Sequence, residues 1–304
     1  MQTILIPSIP DLKVFGTGPM HLVLSHLLSD ARYFTHYRRE ATRGAYVILD
    51  NSAHEFQLGQ PGKILLKQAQ LIGASEIVCP DELFSVEGTC KLTDEALSYF
   101  SSMGYNTFRD LNPRLMLVPQ GKTREEYDYC YSCMTDNFSR HRADYPEVFT
   151  KEPVIGISKD YLEMFEGGLY DIVKMIYPSL ELGADIHMLG WGRTLWAYAD
   201  IARDFPKIRS VDSAKPMVYA MRGICLEAFG EIPPYPRRDP DYFNSPIRDG
   251  HLSIAQHNVR VFEQVARGDN GKLWLTPRSM PEVQLDWETT SLWKRDAWWN
   301  RRDR

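Results

Sequence analysis

Short apolar runs of four to six residues recur along the chain, separated by longer segments in which apolar positions return every three or four residues. The runs are TILIPS (3–8), HLVLSH (21–26), AYVILD (45–50), EIVCPD (76–81), RLMLVPQ (114–120), PVIGIS (153–158), DIHMLG (185–190) and IRSVDS (208–213). Each predicts a strand. Helices are predicted by GKILLKQAQLIG, LTDEALSYFSSMG, TREEYDYCYSCM and GGLYDIVKMIYPSLELG after the third to sixth runs, and by WAYADIARDF and PMVYAMRGICLEAFG after the last two.

Strand–helix alternation implies parallel strands joined by right-handed crossovers, and eight such units close a (β/α)₈ TIM barrel; an open doubly wound sheet is the competing architecture. The pattern is weakest over residues 9–44, where Gly16 and Gly18 interrupt it and the second run reads equally as the start of a helix. Residues 233–244 are rich in Pro, Arg, Asp and Tyr and read as a surface loop before the helical segment SIAQHNVRVFEQVARG. The barrel is thus placed at 1–266, and a short Trp/Arg-rich C-terminal extension at 267–304, which carries five of the seven Trp residues.

Composition narrows the class. The chain has 304 residues, 43% of them hydrophobic and 25% charged, the balance of a folded globular protein with room for one large core. Its apolar runs fall far short of the ~20 residues of a bilayer span, and MQTILIPSIP lacks the basic lead and apolar stretch of a secretory signal. The five cysteines are an odd number, with Cys79, Cys90 and Cys225 isolated, so free thiols in a reducing cytoplasm are expected. A net charge of −5 argues against a surface that is basic all over, but leaves room for a local positive patch.

In a barrel of this kind chemistry sits where strands end and βα loops begin. Polar residues directly after apolar runs are Asp50 with Asn51 and Ser52, Asp81 with Glu82, Gln120 with Gly121, Gly156, Gly190 with Gly192, and Asp212 with Ser213. Each alone reads as readily as a helix cap, a first-turn acid or a turn glycine. Convergence changes the balance, because in such a barrel three Asp and one Gln at strand ends would all point into one mouth. Two carboxylates in one cleft suit chemistry at an anomeric carbon, one as nucleophile and one as proton carrier, while an Asp and a Gln suit the hydrogen-bonding edge of a planar base.

At these positions the chain resembles the tRNA-guanine transglycosylase superfamily, and more closely its phage branch of DpdA-type enzymes, which place 7-deazaguanines into DNA. The resemblance is carried in chain order by VILDNSAHE, VCPDEL, VPQG, VIGISKD, HMLGWG and VDSAKP, over roughly residues 45 to 217. It implies that Asp212 is the nucleophile and Asp50 the general acid/base. It also implies that Asp81 and Gln120 contact the base edge, with Asn51 and His54 beside them, while Gly156, Leu189 and Gly190 line the base. Members acting on tRNA carry a C-x-C-x-x-C…H zinc site after the barrel, and after Asp212 this sequence holds only Cys225. The Cys130/Cys133 pair lies within a helical pattern and reads as two thiols rather than a metal site.

The resemblance therefore implies exchange of guanine in DNA for a 7-deazaguanine, such as 7-cyano-7-deazaguanine, with neither cofactor nor metal and no membrane partner. The target deoxyguanosine would be flipped out or single-stranded. Related barrels often pair, so a homodimer is among the implied partners. Arg193, Lys207, Arg209, Arg237 and Arg238 are candidates for phosphate contacts near the mouth, although each reads first as a solvated surface charge. His187 reads as a satisfied core histidine, and Trp298 and Trp299 as packing residues or stacking platforms. Open alternatives are a tRNA-acting enzyme without zinc, a glycoside or nucleoside hydrolase, and a non-catalytic partner subunit.

Overall fold

A computed structural model of the chain describes residues 1–164, 168–191, 195–226 and 241–269. Among these, eight strands form one sheet: β1 Gln2–Leu5, β2 Met20–Leu24, β3 Tyr46–Asp50, β4 Glu76–Val78, β5 Arg114–Leu117, β6 Val154–Ser158, β7 Asp185–Leu189 and β8 Ser210–Ser213. Every ladder is parallel, and neighbours run β2-β3-β4-β5-β6-β7-β8-β1. Sequential order without reversal is that of a (β/α)₈ barrel; a doubly wound sheet would reverse at a switch point. β1 and β2 lie side by side, but no ladder joins them among the described residues, so the barrel is nearly closed with a seam there.

The main helices are α1 Ala31–Thr42, α2 Gly62–Ile72, α3 Val86–Ser101, α4 Arg124–Asp144, α5 Gly168–Ile176, α6 Leu195–Asp204, α7 Lys215–Met221 and α8 Leu252–Ala266. Four depart from the sequence reading. α1 falls in the weak 9–44 stretch; it starts where the Asp30 side chain accepts the N–H groups of Arg32 and Tyr33, and it buries Tyr33, His36, Tyr37 and Glu40 rather than an aliphatic stripe. α3 begins six residues earlier than expected because Ser85 caps it, accepting from Gly88 N. α4 runs ten residues past Met134. α7 ends at Met221, ahead of Gly223 at φ +71°.

Strand alternation sorts the core into two layers. Ile4, Leu22, Leu24, Ile48, Val78, Met116 and Val154 fill the barrel interior. Val23, Val47, Leu49, Ile77, Leu115, Leu117, Ile155, Ile157, Ile186, Met188 and Val211 face outward and pack against the helices. β4 and β5 stop just before Pro80 and Pro119, which cannot donate to a ladder. The segments carrying Asp81 and Gln120 are thereby released toward the mouth.

The opposite end of the barrel is closed by charge. Arg209, immediately before β8, reaches Glu76 at the start of β4 with two hydrogen bonds, Nη1 to Oε2 at 2.7 Å and Nη2 to Oε1 at 3.0 Å. Tyr46 at the start of β3 donates its hydroxyl to the same carboxylate at 2.7 Å, and Arg114 pairs with Asp185 beside them. Glu76 is fully buried. Arg209 is thus placed at the floor of the barrel rather than at the mouth, because residues preceding a parallel strand lie at its N-terminal end. Lys207, in the same αβ connection, is exposed there, its N–H donated to Tyr177 Oη. Arg193, Arg237, Arg238, Gly192, Trp298, Trp299 and the extension beyond Asp269 lie outside the described residues. Among the described residues no helix is long and apolar enough to cross a membrane.

Candidate active site

Asp50 ends β3 in register with Leu24 of β2, and Asp212 sits in β8 in register with Ile4 of β1. Both are therefore at the C-terminal end of the barrel, on either side of the seam. The Asp212 carboxylate accepts two N–H donors on one oxygen, Oδ1: the Gly190 amide at 3.0 Å and His187 Nε2 at 3.0 Å. Gly190 takes φ +75°, a left-handed conformation that aims its amide at that oxygen, and a Cβ there would lie 2.8 Å from Lys159 Cδ. His187 is completely buried and its Nδ1 lies 2.8 Å from Ser210 Oγ.

Asp50 keeps some exposure at the mouth, yet protein surrounds its carboxyl, and the loss of hydration pushes its pKa well above the usual carboxylate range. The negative charges of Glu55, Asp212 and Asp81 push it the same way. One donor opposes them, the Ser52 N–H at 2.7 Å from Oδ2. Glu55 stands in the single helical turn Ala53–Phe56 that follows Asp50. Ser52 itself takes φ +61°, and its hydroxyl lies 2.9 Å from Ser25 Oγ and 2.8 Å from His26 Nδ1.

Asp81, 2% exposed, is clamped by two amides: Asn51 Nδ2 donates to Oδ1 at 2.6 Å and Gln120 Nε2 donates to Oδ2 at 2.7 Å. Burial raises its pKa to about 7, against the pull of those two donors. The orientation of each amide is set by its other bonds. Asn51 accepts from Ala53 N at 2.8 Å and donates to Cys79 O, while Gln120 Oε1 accepts from Phe84 N at 3.1 Å and Tyr161 Oη at 3.0 Å. Asn51 and Gln120 thus act on Asp81, and neither turns its side chain to open solvent.

No family model and no curated protein matches this chain. The chemistry is accordingly read from the geometry of the mouth.

The structure gathers Asp50, Asp81 and Asp212 closely enough for Asp50 to sense the other two. Leu189 lies at the inner layer close to Gly156, whose added Cβ would meet Leu189 Cδ1, Val118 Cγ2 and Met116 Sδ at 2.8 to 2.9 Å. Gly156 is covered by those side chains in this state and answers a packing need. His54 is exposed at the mouth, its Nε2 3.5 Å from Lys159 Nζ. A cavity of about 350 Å³ lined by Leu58, Glu82, Ser85, Gly88, Lys91 and Glu95 includes none of the three Asp residues.

Sequence reading missed three contributors and named a fourth, Ser52, without its role. His187 was placed in the core with no link to Asp212; its connection is visible only from the β7/β8 register, which pairs His187 with Ser210 two residues before Asp212. Glu55 and Ser52 were legible as polar residues within five positions of Asp50. Lys159, directly after β6, is a described cation that stands at the mouth, its amide donated to Leu189 O at 2.9 Å. The five cysteines are free thiols, and among the described residues no group of three His, Cys, Asp or Glu is arranged to hold a metal.

Proposed function

We propose that this chain is a base-exchange transglycosylase of the tRNA-guanine transglycosylase type that replaces guanine in DNA with a 7-deazaguanine. The observation that carries the reading is the division of labour among three carboxylates in one mouth. Asp212 is held by two N–H donors, Asp50 is surrounded so that its proton is held more tightly than an ordinary carboxyl's, and Asp81 is clamped by two amides.

In this scheme a carboxylate oxygen of Asp212 bonds to C1′ of a flipped or single-stranded deoxyguanosine as the C1′–N9 bond breaks. The bonding pair leaves with guanine, which takes the proton of Asp50. An incoming 7-deazaguanine then gives its N9 proton to the Asp50 carboxylate, its nitrogen attacks C1′, and the ester to Asp212 breaks. Asp81 accepts the N–H donors of the purine edge with the lone pairs its clamp leaves open. DNA is favoured over tRNA because only one cysteine follows Asp212, too few for the zinc site of the tRNA-acting members.

The test offers guanine-labelled DNA and guanine-labelled tRNA, each with unlabelled 7-cyano-7-deazaguanine, and follows label release and acid-stable protein–polymer adduct. Exchange and adduct with DNA, both lost in Asp212→Ala, are expected. Activity confined to tRNA overturns the polymer, release of base with water as sole acceptor makes the protein a hydrolase, and absence of any adduct with either polymer refutes the covalent mechanism.

A further inference from the structure

We propose that His187 is a positioning residue: a buried relay from Arg209 through Ser210 keeps its ring hydrogen on Nε2, and this leaves Oδ2 of Asp212 as the oxygen that attacks the sugar. The attack rests on the transglycosylase reading above; the relay does not.

The direction of each bond follows from donor chemistry. Arg209 Nε lies 3.2 Å from Ser210 Oγ, and a guanidinium can only donate. Ser210 Oγ therefore accepts there, and its single hydrogen is available for His187 Nδ1 at 2.8 Å. An Nδ1 that accepts carries no hydrogen, so the ring hydrogen belongs to Nε2, 3.0 Å from Asp212 Oδ1. His187 and Ser210 are fully buried, so water does not compete for either ring nitrogen.

Arg209 is itself fixed, because its other two nitrogens hold Glu76 at 2.7 and 3.0 Å and Glu76 also receives the Tyr46 hydroxyl. One chain of donors thus runs from the floor of the barrel to the mouth, through its interior. At its upper end Oδ1 already accepts His187 and Gly190. Among the described residues no donor reaches Oδ2, so its lone pairs are the ones available for bond formation. Partners that orient metal ligands change affinity or activity by about 10- to 100-fold, and the partner of a reacting carboxylate is expected to act on a similar scale.

The test uses the full-length protein with ¹⁵N-labelled histidine. Long-range ¹H–¹⁵N spectra are expected to show a His187 ring protonated at Nε2 and bare at Nδ1; a hydrogen on Nδ1 overturns the relay. In parallel, the rate of adduct formation at saturating DNA is compared for His187→Phe, which removes the donor, and His187→Gln, which restores an N–H near the Nε2 position. A drop of roughly 10- to 100-fold for His187→Phe with unchanged half-saturation, and recovery in His187→Gln, supports positioning. An unchanged rate in a folded His187→Phe overturns it. Should His187→Phe not fold, Ser210→Ala, in which Nδ1 loses its donor, takes its place, and a rate equal to wild type in that variant likewise overturns it. If the wild type forms no adduct, the transglycosylase reading fails while the spectra still decide the relay.

Discussion

The backbone N–H of Ser52 donates to Oδ2 of Asp50 at 2.7 Å from a left-handed conformation, φ +61°. A non-glycine residue adopts that region at a cost, which the buried hydroxyl offsets through Ser25 and His26. Ser52→Val loses both hydroxyl contacts and puts a branched Cβ where the backbone disfavours it. It should destabilise the protein by on the order of 3 kcal/mol, measured by urea unfolding. Ser52→Gly, free of the backbone cost, should lose less.

Asp50→Asn retains an oxygen for the Ser52 amide but cannot pass a proton. Base exchange should fall about 10²- to 10⁴-fold while DNA binding is kept, as measured by label exchange and by filter binding at equal salt. A variant that binds poorly and turns over normally would contradict the role given to Asp50.

Stability should depend on pH through Asp81. Its folded pKa of about 7 lies above an unfolded value near 3.9, so the folded chain binds the proton more tightly. That contribution is complete below about pH 4 and is lost as pH rises to about 7. Asp81→Asn should flatten this decline in thermal midpoints taken from pH 4 to 8. At pH 4 it should be less stable than wild type by roughly 1–3 kcal/mol, because its amide confronts the Asn51 or Gln120 donor, and the two curves should converge as pH rises to about 7.

The position of cations along their strands separates two lysines. Lys159→Ala, at the mouth, should weaken DNA binding and reduce the slope of log affinity against log salt by about 1, whereas Lys207→Ala, at the floor, should change neither. Titrations at several salt concentrations decide this.

The floor itself is testable. Glu76→Gln leaves Arg209 as a buried charge with a weakened partner and should cost about 3–5 kcal/mol. The double change Glu76→Leu with Arg209→Met removes both charges and should cost less than the single one, a comparison made by chemical denaturation.

Most strands were legible as aliphatic runs, although the second read equally as the start of a helix and β8 holds a single aliphatic residue, Val211; their order followed from the helices between them. α1 was not, because its buried face is built from Tyr33, His36, Tyr37 and Glu40, which hydropathy scores as polar or neutral. The three Asp residues stood out at strand ends, where a parallel strand delivers its side chains to the mouth. The same rule, applied to Arg209 and Lys207, would have put them at the floor, since both precede β8. His187 escaped notice because its meaning depends on a neighbour 25 residues away that only the sheet register brings to it. Gln120 and Asn51 were recognised as site residues, but one-dimensional spacing does not say that their amides are turned on Asp81.

The seam between β1 and β2 sets the relation between Asp50 and Asp212. Asp212 is one strand from it on β8, and Asp50 is one strand from it on β3. Going the other way, the backbone connects them through four intervening strands, β4 to β7. The two carboxylates therefore sit on the two jaws of a split ring. A change in their separation would break no rung of the sheet, so in the proposed exchange the barrel has one adjustable dimension at the point where a nucleotide enters and a base leaves.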